Sequence, residues 1–459
     1  MRSSTFVLCA VAVGAVVFGF SRLIGSEYYF FAGYVVLQYI VLATAWNILG
    51  GYTGYVNFGS AAFFAIGAYS SVALHKFQPA KWAPSLHGFE ISLGFLDPLF
   101  PLPIPVLIVV GGVISGVVGL GMGYLTLRLR GAFFAIATLA LAVVVQTLVT
   151  NWDYVGGSRG AYILRPASAP LVGSYIEYLF LIMLMLAVMA VATARAIEVS
   201  RLGYGFATIR DDELAAEASG VPTLRLKLIA TTLSGAFMGM AGAPLPYYVT
   251  YLDPASGFSL AYAVNSIAMP LVGGTTTWIG PVVGAILLGT IQQVATVTIS
   301  SAVNLLLVGL ILIAFVIIAP NGLVGLVQEF QRAAAPSRVD ARSVGLIMVA
   351  IYAFLVGLIG IVLCVPFISA GVHPATTIGL SVLVLSVLYA AASYGLLKLQ
   401  PWGLWLAVGV FAVSIPAAAM QMMDGTWQIT ATVALAVSAI ALLYLLGTNV
   451  RLLYQRKRM

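Results

Sequence analysis

Apolar runs of about 20 residues recur along the whole 459-residue chain, separated by short loops, and this repetition leaves few folds open. A helix of that length crosses a hydrocarbon layer about 30 Å thick while satisfying its own backbone hydrogen bonds where no water is present. A water-soluble globule is excluded by the shortage of polar surface, since 61% of residues are hydrophobic, 8% are charged and the mean hydropathy is +1.06. The chain is therefore expected to be an all-α, polytopic integral membrane protein. Spans are predicted near residues 5–24, 28–49, 55–75, 103–126, 131–150, 174–195, 228–250, 259–279, 281–301 and 303–319. Four more are predicted near 344–367, 376–397, 402–421 and 428–447. Residues 1–24 lack a small-residue cleavage site, so they are expected to stay as an uncleaved first helix.

Basic residues give the orientation. Arg2, Arg128, Arg130, Arg195, Arg201, Arg210, Arg225, Lys227, Arg332, Arg338, Arg342, Lys398, Arg451, Arg456, Lys457 and Arg458 fall on one side of this arrangement, whereas the other side holds Arg22, Lys76, Lys81, Arg159 and Arg165. The richer side is expected to be cytoplasmic, with both termini on it, in a bacterial-type inner membrane. Although the net charge is +7, the basic residues are spread through the loops, which argues against a nucleic-acid partner.

Several chemistries lack their residues. No lysine follows a glycine, so there is no phosphate-binding Gly-Lys-Ser/Thr loop, and no HExxH is present. Cys9 and Cys364 lie in apolar runs, and His75, His87 and His373 are placed in loops, so neither a metal site nor a catalytic group is expected. Acidic residues also fall in or beside loops, whereas proton-coupled carriers keep one inside a span. The polar groups at mid-span are uncharged, among them Gln38, Asn47, Asn57, Gln146, Asn265 and Gln292. A conduit without a motor of its own is expected to borrow one.

Two stretches interrupt the helical pattern with glycine: GGYTGYVNFGSAAFFAIGAY from Gly50 and MPLVGGTTTWIGPVVGA from Met269. Broken segments inside a membrane protein line cavities or pack tightly through small residues, and both readings stand for these two. The candidate translocation path comprises Asn47, Gly51, Gly54, Asn57, Phe58, Gly59, Ser60, Gly273 and Gly274.

The long polar interruption at residues 203–227 holds Asp211, Asp212, Glu213 and Glu217, four of the 14 acidic residues in the chain. A short helix is predicted from Phe206, with Arg210 placed to pair with Glu213 and Gly220 supplying a left-handed stop before Pro222. Phe206, Ile209, Leu214 and Ala218 form a partial apolar stripe suited to a groove on a partner, or to a solvated helix lying on the membrane surface.

The run TIRDDELAAEASGV from Thr208, followed by RLKLIATTLS, resembles the cytoplasmic coupling segment of the high-affinity branched-chain amino acid ABC importer permeases, specifically the larger of their two permease subunits. GYTGYVNFGSAAFFAIGAY from Gly51, LRGAFFAIATLAL from Leu129, NWDYVGGSRG from Asn151 and APNGLVGL from Ala319 are similar to that family's other motifs and follow in its order. The resemblance implies a second homologous permease subunit, two cytoplasmic ABC ATPase subunits, an extracytoplasmic solute-binding protein and surrounding membrane lipid as partners. It also implies that this chain binds no cofactor, that ATP with Mg is used by the partner subunits, and that Phe206, Ile209, Arg210, Asp211, Asp212, Glu213, Glu217 and Gly220 serve in ATPase coupling.

Three departures qualify the resemblance. Ser60 stands where the family usually has histidine, and Thr276 replaces the third glycine in the Gly273–Pro281 run, so the solute is left among branched-chain amino acids, other amino acids, urea and amides. Residues 328–343 read as a cytoplasmic linker after a permease domain at 1–327, and 344–459 as an additional four-helix membrane domain with a basic tail, outside the family pattern. Trp402 and Trp405 beside Lys398 suit an interfacial anchor. A stand-alone secondary carrier and a non-transporting scaffold derived from a permease are the alternative functions.

Overall fold

The computed structural model describes residues 3–24, 27–77, 85–86, 89–90, 102–126, 129, 131–164, 173–298, 309, 312, 322–325, 346, 349–350, 352–354, 356–357, 360–361, 375–397, 400–423 and 428–447. The chain forms two compact units, Met1–Thr290 with Leu312–Val324, and Ile291–Ile311 with Gly325–Met459. The expected boundary at 327, the linker at 328–343, the span near 303–319 (save for single positions) and the basic tail lie outside the described residues.

The first unit contains α1 (Ser3–Ile24), α2 (Glu27–Thr53), α3 (Ser60–Lys76), α4 (Ile104–Thr126), α5 (Ala132–Thr150), α6 (Tyr175–Glu198), α7 (Arg201–Asp211), α8 (Glu213–Ala218), α9 (Thr223–Gly242), α10 (Leu245–Val249), α11 (Pro254–Gly257) and α12 (Leu260–Gly273), and α13 (Ile279–Thr298) begins in it. Among the described residues, six helical stretches are long and apolar enough to cross a membrane: α2, α4, α5, α6, Thr223–Val249 and Pro254–Gly273. The chain is a multi-pass, all-α membrane protein.

Glycines move several helix ends away from the expected spans. α2 continues past residue 49 to Thr53 and stops at Gly54, whose φ of 79° favours glycine, and α3 begins only at Ser60. α12 stops at Gly273 rather than 279, because Gly274 turns the chain with a φ of 120°. At 27 residues α2 is about 40 Å long, more than a hydrocarbon layer needs, so its last turns lead into the end of the bundle that carries α7 and α8. His75, expected in a loop, is helical: it lies in the last turn of α3, where its Nδ1 is 3.1 Å from the Tyr247 hydroxyl.

α2 is the centre of the packing. Every residue from Ile40 to Thr53 is buried, enclosed mainly by α6, α9 and α12. Gln38 donates to the Ala241 carbonyl at 3.2 Å and Asn265 to the Tyr39 hydroxyl at 3.2 Å, so these polar residues cross-link helices. α3, α4 and α9 meet where their side chains are smallest. A Cβ on Gly67 would run into the Gly239 carbonyl, one on Gly242 into that of Phe64, and one on Gly239 into Ser115. Lipid tails are as apolar as leucine, so close backbone approach is what holds such helices together.

At the opposite end, Ala161–Tyr162 pairs antiparallel with Tyr251–Leu252. The NWDYVGGSRG loop leads into this pair through Gly156, Gly157 and Gly160, all with positive φ. In the second unit α14 (Ala375–Leu397), α15 (Pro401–Met423) and α16 (Gln428–Leu446) follow three of the expected spans. Tyr389 sets its ring edge on Phe411 at 5.4 Å, Ser393 donates to the Ala350 carbonyl, and Trp402 and Trp405 are exposed.

Candidate functional site

The polar segment between α6 and α9 is two helices rather than the single one expected from Phe206. Asp212 breaks it: its backbone is extended, and its Oδ1 accepts the amides of Leu214 at 2.9 Å and Ala215 at 3.1 Å, which caps α8. Gly220, with a φ of 82°, ends the motif before α9. Because α8 has only six residues, its cap matters. Asp212→Ala should weaken it by about 1 kcal/mol, seen as roughly fivefold faster hydrogen exchange at Leu214 and Ala215. Unaltered exchange there would remove the capping role.

The expected Arg210–Glu213 pair is not formed. Arg210 instead lies 3.4 Å from Asp211 on the surface, an arrangement that contributes little, and its Cγ and Cα lie against Gly54. Glu213 turns inward to Lys227, whose Nζ donates to Glu213 Oε1 at 2.7 Å and to the Tyr55 hydroxyl at 3.2 Å. Tyr55 in turn donates to Glu213, closing a three-membered network. The Tyr55 ring stands edge-on to Phe134 of α5, with centroids 5.1 Å apart. The apolar stripe is corrected as well: Phe206 and Ile209 are buried against the chain itself, at 0% and 3% exposure. The outer face of the segment instead presents Tyr204, Asp211, Leu214 and Glu217.

The two glycine-rich stretches meet beside this segment. Asn47 donates to the Thr277 carbonyl at 3.4 Å, and a Cβ on Gly51 would run into the Thr275 carbonyl. Gly273, Gly274 and Gly280 close on one another too tightly for side chains, and Gly322 of the APNGLVGL motif packs on Gly273 and Gly274. Glu198, at the end of α6, ties both stretches together: its Oε2 accepts the Trp278 amide at 2.6 Å and the Tyr52 hydroxyl at 3.4 Å.

Within the first break, Asn57 Oδ1 accepts the Gly59 amide at 2.7 Å, and the Asn57 carbonyl accepts the Trp46 indole at 2.9 Å. The Phe58 amide donates to Thr138 Oγ1, and Ser60 accepts from Ser266. Asn47, Gly51, Asn57, Gly59 and Ser60 are buried, Phe58 is half-buried and Gly54 is exposed. Asn47 Oδ1 and Asn57 Nδ2 are buried without a hydrogen-bond partner. Most of these candidates therefore shape the joint between helices. Sequence reasoning did not single out Tyr52, Tyr55, Glu198 or Trp278, nor a partner for Lys227. The signal available was Lys227 itself, a cation entering an apolar run, which calls for a counter-charge.

The comparisons with known proteins agree with this architecture. A family profile described as "Branched-chain amino acid transport system / permease component" matches residues 28–316. The chain is similar to the high-affinity branched-chain amino acid transport system permease protein LivM of Salmonella typhimurium and to that of Escherichia coli strain K12. Each is 26% identical over 314 residues, covering 63% of this chain and 68% of the relative. It is also similar to the probable branched-chain amino acid transport permease protein LivH of Methanocaldococcus jannaschii, at 23% identity over 286 residues, 60% of this chain and 84% of that protein. No solved structure matches the chain.

Proposed function

We propose, on the premise that this chain belongs to the branched-chain amino acid transport system permease family, that it is one permease subunit of an ATP-driven ABC importer. In this role it forms half of a translocation path with a second homologous permease, in a bacterial-type inner membrane with both termini in the cytoplasm. Two cytoplasmic ATPase subunits use ATP with Mg, and a binding protein delivers the solute outside. The solute class is branched-chain amino acids or a related small polar molecule such as another amino acid, urea or an amide. The joint of Gly54–Gly59 with Gly273 and Gly274 is the part of the path that moves.

The observation that carries this proposal is the outer face of α7 and α8. Tyr204 and Leu214 are 72% and 63% exposed beside Asp211 and Glu217, while Phe206 and Ile209 hold the segment down from within. An apolar and acidic ridge fixed to the bundle suits a groove on an ATPase subunit, where a few buried side chains carry most of the binding energy. Leu214→Asp combined with Asp211→Lys should lower recovery of the ATPase subunits with the purified permease at least tenfold, which corresponds to about 1.4 kcal/mol, while membrane insertion is unchanged. Full recovery of the ATPases with that variant would refute the contact.

A further inference from the structure

We propose that Lys227 and Tyr55 are positioning residues that carry movement of the partner-facing segment into the break between α2 and α3. The proposal rests on the importer reading above. Three groups from three separate places converge: Glu213 at the start of α8, Lys227 in the first turns of α9 and Tyr55 in the non-helical link after α2. The Glu213 and Lys227 side chains are only 14% and 4% exposed. A buried pair of opposite charges cannot be drawn apart by a water molecule's width without leaving a charge unsolvated, so it behaves as a stiff tie.

Each end of the tie meets a different mechanical partner. α8 has six residues and buries only Ala216, so side-chain ties hold it to α9: Glu213 to Lys227 inside, and Glu217, which accepts from the Thr223 hydroxyl at 2.9 Å, at its far end. Tyr55 sits in a stretch without helical hydrogen bonds, immediately after Gly54, where the backbone is easiest to bend. A displacement of α8 is therefore passed through Lys227 to the compliant link, and the Tyr55 ring passes it to Phe134 at the start of α5. Glu213 thus serves coupling from the inside, as the inner end of the tie, while the outer ridge meets the partner.

The test uses the full complex of both permeases, both ATPases and the binding protein in lipid vesicles, with radiolabelled leucine as the transported probe. The measured quantity is ATP hydrolysed per leucine imported. The paired change Glu213→Gln with Lys227→Met removes both charges together, so neither is stranded, and it should raise that ratio at least tenfold. Tyr55→Phe removes one hydroxyl and with it the hydrogen bonds to Glu213 and from Lys227, keeps the ring on Phe134, and should raise it at least about threefold. The charge-exchanged pair Glu213→Lys with Lys227→Glu should fall within threefold of the native ratio. An unchanged ratio in both the neutral pair and Tyr55→Phe overturns the tie alone. Native vesicles that import no leucine with ATP overturn the importer reading, and the tie with it.

Discussion

Lys227→Met should destabilise the first unit by about 3–5 kcal/mol. The substitution keeps an apolar stem of similar length but leaves the Glu213 carboxylate without the Lys227 cation, at 14% side-chain exposure and with the Tyr55 hydroxyl, a neutral donor, in place beside it. Water reaches such a site too poorly to replace the lysine. The effect belongs to stranding a charge rather than to the intrinsic worth of the pair, so adding Glu213→Gln should recover most of it. A four-cornered comparison of wild type, Lys227→Met, Glu213→Gln and the double variant, by denaturation of the detergent-solubilised protein, measures this directly. Losses that simply add in the double variant would show that the two side chains are not coupled.

Gly67→Ala should cost about 1–3 kcal/mol, although it adds a single methyl group and raises helix propensity. The reason is the junction of α3 with α9, where the new Cβ would occupy the space of the Gly239 carbonyl, a backbone atom that no rotamer change can move aside. The two helices would have to separate, and α4 would lose its fit at the same point, because Gly111 lies against Gly67 there. Gly121→Ala is the control, since a Cβ at that position meets nothing within 4 Å. A lowered melting temperature in the first variant and none in the second is the expected result. Equal melting temperatures would mean that the junction yields.

Most of the architecture was legible in the residues because hydropathy and length alone decide whether a segment can cross a membrane. The helices at 375–397, 401–423 and 428–446 fall where apolar runs place them, and the left-handed stop at Gly220 follows from the glycine before Pro222. What escaped was set by contacts distant in sequence. The stripe of Phe206 and Ile209 looks the same whether it faces a partner or its own bundle, and only the packing decides. Arg210 and Glu213 have the spacing of a helical pair, but Asp212 takes the capping position between them and Lys227 offers Glu213 a buried partner. The glycine clusters signalled broken helices, whereas their meeting through Glu198 and Trp278 left no local trace.

The enclosure of α2 bears on how the protein is made. This helix leaves the ribosome long before α6, α9 and α12, the neighbours that later wrap it. Until they arrive, Gln38 lacks the Ala241 carbonyl of α9 and Asn47 lacks the Thr277 carbonyl just beyond α12, so both face either acyl chains or the insertion machinery. Biosynthesis of this subunit therefore requires the nascent second helix to be sheltered for more than two hundred residues of elongation, from Thr53 until α12 is complete at Gly273.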